Sequence, residues 1–258
     1  MYNTADSIVV GRFVGKEALA AVSGSVNQIV TLIVEVFVGL TSGASVIIAQ
    51  FYGAKDHKNL NRTLHTAYAF AIVTGAIVGL IGFWITEKVL IAMKTPSELM
   101  ADSVIYLHIY FCGMIFNIVY NMGASILRAV GDSRRPLYVL IMTCGLNIFF
   151  DIMLVVFLKM GVMGVAIATV SCQGISACMV TWILIKGNSL FRLKIREIRF
   201  YMASLQSVLR IGIPAALEAT MYTIANLIIQ IFVNGLGTDT VAAWGTFCLL
   251  YTSDAADD

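Results

Sequence analysis

The sequence predicts an all-α membrane protein that crosses the bilayer several times, and three observations lead there. Of its 258 residues 59% are hydrophobic and only 12% charged, with a mean hydropathy of +0.87, whereas a soluble domain carries about 25% charged residues. Apolar runs long enough to span a hydrocarbon core recur along the chain. In the middle of one of them stand Asn147 and Asp151, four residues apart and so on one helix face. An ionised side chain at that depth costs roughly 2.5–3.5 kcal/mol on insertion scales, so it is kept where it meets water, a cation or a partner.

The first run is short, since Met1 to Phe13 precede a Gly15-Lys16-Glu17 turn and a full crossing takes about 20 residues. An incomplete N-terminus is the expectation, and no basic region that would open a signal peptide follows Met1. A second run extends from Ala18 to Tyr52 with Glu35 as its only charge. It is too long for a straight crossing, and Gly39 and Gly43 offer a bend. After the polar turn at Gly53 a third run spans Leu64 to Ile85. Thr95-Pro96-Ser97-Glu98 then reads as a helix start before a fourth run, Ser103 to Leu127. The charged turn Arg128 to Pro136 leads into the fifth run, and Lys159-Met160-Gly161 into the sixth, Val162 to Ile185, whose Gly161, Gly164 and Ala168 suit close helix approach.

From Lys186 to Arg210 the composition turns basic. Arg192, Lys194, Arg196 and Arg199 interleave with Leu193, Ile195, Ile198 and Phe200, and Tyr201 to Leu209 is amphipathic. The segment reads as one that lies on an anionic membrane face and as the domain boundary. A seventh run opens at Ile211-Gly-Ile-Pro and ends near Gly237, and an eighth begins at Thr240. The predicted organisation is therefore a six-helix lobe over 1–185, a cytoplasmic linker over 186–210 and the start of a second lobe over 211–250. The acidic residues of 251–258 would not end a span in lipid, so this tail reads as non-native.

Of the 17 basic residues, 12 lie in the turns after the second, fourth and sixth runs and five in the alternate turns. The positive-inside rule puts the richer turns, 53–62, 128–136 and 186–210, in the cytoplasm of a multi-pass cell-membrane protein. The three His and five Cys show neither metal-ligand spacing nor a C-x-x-C pair, and the Cys read as small buried hydrophobes.

Gly15-Lys-Glu-Ala-Leu-Ala-Ala-Val-Ser is similar to Gly237-Thr-Asp-Thr-Val-Ala-Ala-Trp-Gly. Six runs separate the copies, so both would enter the membrane in the same sense, as in transporters built from parallel repeats. Gly39-Leu-Thr-Ser-Gly-Ala-Ser-Val-Ile-Ile-Ala-Gln-Phe-Tyr-Gly-Ala-Lys, Leu127-Arg-Ala-Val-Gly-Asp-Ser-Arg-Arg-Pro and Gly161-Val-Met-Gly-Val-Ala-Ile-Ala-Thr resemble, in order, the multidrug and toxic compound extrusion (MATE) transporters, in their DinF-like branch. The resemblance implies one lobe, and the opening of a second, of a twelve-helix fold. It also implies a secondary antiporter that exports cationic or amphiphilic compounds by exchange for Na⁺ or H⁺.

Carried over residue by residue, the family's coupling positions fall on Asp6, Asn147, Asp151 and Thr169. Carboxylates, an amide carbonyl and a hydroxyl are hard oxygen ligands for a small cation such as Na⁺, and two neighbouring carboxylates repel unless a proton or cation lies between them. Glu218 is a candidate for cation contact, although another branch of the family carries its acidic residue about one turn further on, where this chain has Tyr222. The Asn that some family members carry in the fourth helix has no clean match here; Asn117 and Asn121 both lie nearby. Glu35, as an acid inside a span, faces a cavity or pairs with Asn27 or Gln28. Glu35, Glu218, Gln28 and Asn121 are thus the candidate substrate-cavity residues.

No cofactor beyond the coupling ion is implied. The partners implied are a small-molecule substrate and the lipid bilayer, with no nucleic acid and a monomeric full-length protein. A lipid-linked oligosaccharide flippase of the same broad superfamily is the alternative, but it calls for basic residues inside the spans and none lies there. An intramembrane enzyme is disfavoured, because no nucleophile–base pair or metal-ligand cluster stands out.

Overall fold

The computed structural model describes residues 6, 10–187 and 191–254. Among these, helices account for nearly the whole chain and there is no strand. In order they are α1 (Lys16–Gly53), α2 (His57–Ala92), α3 (Ser97–Cys112), α4 (Met114–Ala129), α5 (Arg134–Phe157), α6 (Gly161–Ile185), α7 (Met202–Asn234) and α8 (Thr238–Asp254). Five of them are long and apolar enough to span a bilayer, and the bent pair α3–α4 makes a sixth. The main core is an apolar cluster drawn from α1 to α7, and a smaller one joins α1, α3, α7 and α8. Broad apolar surfaces remain outside them, among them Trp84, Leu80 and Ile91 on α2 and Tyr138, Ile141 and Phe149 on α5, as a bundle solvated by lipid requires.

The expected bend of α1 lies elsewhere. The helix runs unbroken through Gly39 and Gly43 and instead opens into a π-helical turn over Val22–Val26, where Gly24 leaves helical geometry (φ −85°, ψ −120°). A side chain at Gly24 would stand 2.7 Å from Val241 of α8, so the break sits where α8 crosses. Gly39 and Gly43 are contact glycines. A Cβ at Gly43 would lie 2.5 Å from the Gly212 nitrogen, and one at Gly39 would fall on the Ala216 backbone. The two helices meet backbone to backbone there, which only small residues permit.

Two further boundaries differ from the sequence reading. The fourth run is two helices, α3 and α4, inclined at 52° about Gly113, where an added Cβ would meet the Val170 side chain of α6. The helix start read at Thr95–Glu98 holds, since α3 begins at Ser97, but Thr95 does not cap it; its hydroxyl donates to Ser25 Oγ at 3.1 Å. The seventh helix begins at Met202, so the amphipathic stretch is its first two turns and Pro214 lies inside it. At the other end α8 continues to Asp254; residues 255–258 of the expected non-native tail, and most of the short first run, lie outside the described residues.

Before α7 the chain is pinned to the first turns of α2. The Lys194 N–H donates to His65 Nε2 (3.0 Å), the Tyr201 N–H to Thr66 Oγ1 (3.1 Å) and Thr63 Oγ1 to Ser204 Oγ (3.3 Å). His65 Nε2 is therefore an acceptor, which leaves Nδ1 to donate to the Asn61 carbonyl at 2.7 Å. The start of α2 is itself capped by Asp56, whose carboxylate accepts from the Asn59 N–H at 3.1 Å. Those Asn59 hydrogen bonds hold the Asp56 carboxyl below its ordinary range.

Candidate cation site

Helix α5 buries one narrow stripe, Val139, Thr143, Asn147 and Asp151, at four-residue spacing. The sides around it are largely exposed, so the stripe is the face α5 turns to the bundle. Immediately after Asp151 the helix widens into a π-helical turn, Ile152–Phe157, a distortion often found at functional sites. Helix α6 lies against this stripe and contributes Thr169, Gln173 and Ser176 from its own buried face.

Asp6 closes the constellation. Its side chain is fully buried and accepts from Thr169 Oγ1 through Oδ2 at 3.0 Å. The Asp151 carboxyl and the Asn147 amide lie beside it, and both of those residues are also fully buried. Four of the oxygens here, Asp6 Oδ1, Asn147 Oδ1 and both of Asp151, have no hydrogen-bond partner. The ion pairs among the described residues are all on exposed side chains elsewhere, so no Lys or Arg neutralises the two carboxyl groups. Buried oxygens of this kind are costly when left unsatisfied. A donor set of carboxylate, amide and hydroxyl oxygens suits a small hard cation or a shared proton.

The structure thus brings Asp6, Asn147, Asp151 and Thr169 into one buried cluster and keeps the other candidates apart from it. Gln28 is buried on α1, Glu35 is half-buried on the same helix without a hydrogen-bonding or ionic partner among the described residues, and Glu218 is exposed on α7. Asn121 donates to the Asn117 carbonyl at 2.9 Å and to its Oδ1 at 3.0 Å. Asn117 in turn donates to the Tyr110 hydroxyl at 3.4 Å, which also receives Gln173 Nε2 at 3.5 Å.

Tyr106, Tyr110 and Gln173 were not legible as members of the site. Tyr106 is buried on α3, one turn before Tyr110, within electrostatic range of both carboxyl groups. The one signal was spacing: Tyr106 and Tyr110 share a face of α3, and Gln173 follows Thr169 by four residues on α6.

Residues 1–153, more than half of the chain, match the MatE family. The chain belongs to that family. A MatE relative from Bacillus subtilis strain 168, the probable multidrug resistance protein YoeA, is 31% identical over 246 residues, covering 92% of this chain and 53% of its own length. The solved inward-facing conformation of a multidrug resistance MATE family transporter of the MOP superfamily superposes with a TM-score of 0.85 at 25% identity, over 95% of this chain and 56% of that one. The MATE multidrug transporter DinF-BH shares the fold at a TM-score of 0.88 and 23% identity, over 96% of this chain and 55% of that one. The chain spans about half the length of the curated relatives it matches. Its MatE membership, together with five to six bilayer-length helices, makes it a multi-pass membrane protein.

Proposed function

We propose that this chain supplies the ion-coupling lobe of a secondary antiporter that exports small cationic or amphiphilic compounds in exchange for Na⁺ or H⁺. The single observation that carries the reading is the pair of buried carboxyl groups, Asp6 and Asp151, with four partnerless oxygens around them and no basic side chain. The names of the multidrug relatives support the export function and the class of cargo. The basic turns support a cytoplasmic placement for 53–62, 128–136 and 186–201.

A bound cation or proton supplies the positive charge that lets two carboxyl groups share one dry pocket. Thr169 holds one Asp6 oxygen in place from α6. Asn147 and Asp151 present their oxygens from one face of α5, and the π-helical turn after Asp151 lets that face shift without breaking the helix elsewhere. Loss of the charge leaves two carboxylates in mutual repulsion, which separates the first segment from α5. That separation is the differential interaction an exchange cycle needs to bias one facing state over another. Gln28, Glu35, Asn121 and Glu218 are proposed to contact the cargo.

The test compares the protein with its Asp151→Asn variant, purified in detergent, by titration with Na⁺ at fixed pH and by proton release on Na⁺ addition. Saturable Na⁺ binding, or proton uptake that titrates without Na⁺, is expected in the parent and lost in the variant, with an unchanged helical signal by circular dichroism. Vesicles loaded with a fluorescent cationic dye then report whether efflux follows the same ion. Equal cation binding by parent and variant would sink the coupling role.

A further inference from the structure

The segment between α6 and α7 carries chemistry that transport does not use. Its backbone is fastened inward, to His65 and Thr66 of α2 and, through the Leu193 N–H, to the Leu184 carbonyl at 3.0 Å. Phe191 and Leu193 are buried. With these anchors turned in, Ile195, Phe200 and Met202 are turned out, at 66%, 45% and 64% exposure. An open cavity of about 480 Å³ lies between this segment and the end of α6, walled by Ile185, Arg192, Leu193, Lys194, Ile195 and Arg196, with Glu197 at its edge.

The depth of this cavity is marked by α6. Trp182 is 58% exposed and Lys186 Nζ lies 4.2 Å above its ring, the arrangement of an aromatic residue at the headgroup level with a Lys reaching for water. Charge is lopsided there. Glu197 is spent on Lys194, at 2.9 Å, which holds its carboxyl below the ordinary range. Arg192 uses only its Nε, on the Ile185 carbonyl at 2.9 Å, and Arg196 has no hydrogen-bond or ionic partner among the described residues. The cavity therefore combines free guanidinium groups with an apolar floor and apolar neighbours, all at the membrane–water boundary.

The geometry points to a site for the headgroup of an anionic phospholipid in the cytoplasmic leaflet. Arg192 and Arg196 hold the phosphate, Ile185 meets the glycerol and the first carbons of the acyl chains, and Ile195, Phe200 and Met202 dip into the interface beside it. The leaflet assignment rests on the cytoplasmic placement proposed above; the cavity itself does not.

Native mass spectrometry of the chain, released from micelles containing equal phosphatidylglycerol and phosphatidylcholine, tests the site. The parent is expected to retain phosphatidylglycerol preferentially. Arg196→Gln should reduce that preference about fivefold, the effect of one basic residue near an anionic surface, and Arg192→Gln likewise. Lys88→Gln, a basic residue near the far end of α2, should leave it unchanged, and inorganic phosphate should not compete. No preference in the parent, equal loss in all three variants, or full competition by free phosphate would overturn the assignment. Should Arg192→Gln fold poorly because its Ile185 bond is lost, Arg196→Gln decides alone. Trypsin cleavage at the segment in inverted but not right-side-out vesicles reports sidedness separately, so a wrong leaflet and a wrong site are distinguishable.

Discussion

Thr169 donates its side-chain hydroxyl to one Asp6 oxygen and leaves the other to whatever fills the pocket. A buried hydrogen bond to a charged group is worth about 1.5–3 kcal/mol. Thr169→Val keeps the shape and removes the donor, so thermal unfolding in detergent should fall by a matching amount. Thr169→Ser should restore most of it. If the Val variant melts like the parent, Thr169 does not orient Asp6. Asn147 and Asp151 were legible from residue spacing alone, because two polar groups four residues apart in an apolar run must share a face. Asp6 and Thr169 were not; they sit in runs that give no reason of their own to meet, and only the family resemblance joined them. Tyr106 and Gln173 stayed hidden because a Tyr or Gln in a span has many uses, and the fold alone decides which neighbour it meets.

Glycine pairs mark where helices touch, and α1 shows how easily such a pair is misread as a hinge. Gly39 and Gly43 face Ala216 and Gly212 so closely that a Cβ on Gly39 would overlap the α7 backbone and one on Gly43 would stand 2.5 Å from it. Gly43→Val should force α1 and α7 apart, with a cost of about 1–3 kcal/mol, the usual range for overpacking. Gly145→Ala on α5 is the control. No atom lies within 4 Å of a Cβ placed there, and exchanging Gly for Ala in a helix favours the helix by about 1 kcal/mol. Thermal melts of the two variants should therefore move in opposite directions, and a Gly43→Val protein as stable as the parent would refute the tight contact. The real bend at Gly24 escaped the sequence because its cause is α8, more than two hundred residues away. Thr95 escaped for a similar reason: its hydroxyl serves Ser25 rather than its own helix.

Across the whole molecule, the ends of several helices are drawn together by one buried polar knot. Asn234 at the end of α7 donates to Ser25 Oγ at 2.9 Å in the π-helical turn of α1 and to the Met93 carbonyl at 2.7 Å after α2, while Gln230 Nε2 donates to Asn234 Oδ1 at 2.8 Å. Together with the glycine contact nearer the other end, it fastens α7 along α1 at two levels. The long apolar helices and their order were legible in the hydropathy and the turns. The closeness of α1 and α7 was not, since it depends on which small residues face each other after both helices have formed.

The ion pair between Lys16 Nζ and Asp239 Oδ1, at 2.9 Å, joins the two copies of the repeated segment. In the alignment of the copies, Lys16 corresponds to Thr238 and Glu17 to Asp239. Position two of the first copy thus meets position three of the second, the pattern of a contact across a twofold axis, where each bond has a mirror image. The mirror bond would join Glu17 to position 238, and there the second copy carries an uncharged Thr. The chain therefore holds one bond of the pair and lacks the other. Thr238→Lys should supply it. A double-mutant cycle with Glu17→Gln, read by thermal unfolding, should then show a coupling that fades as salt is raised, and a cycle with no coupling would break the symmetry between the copies.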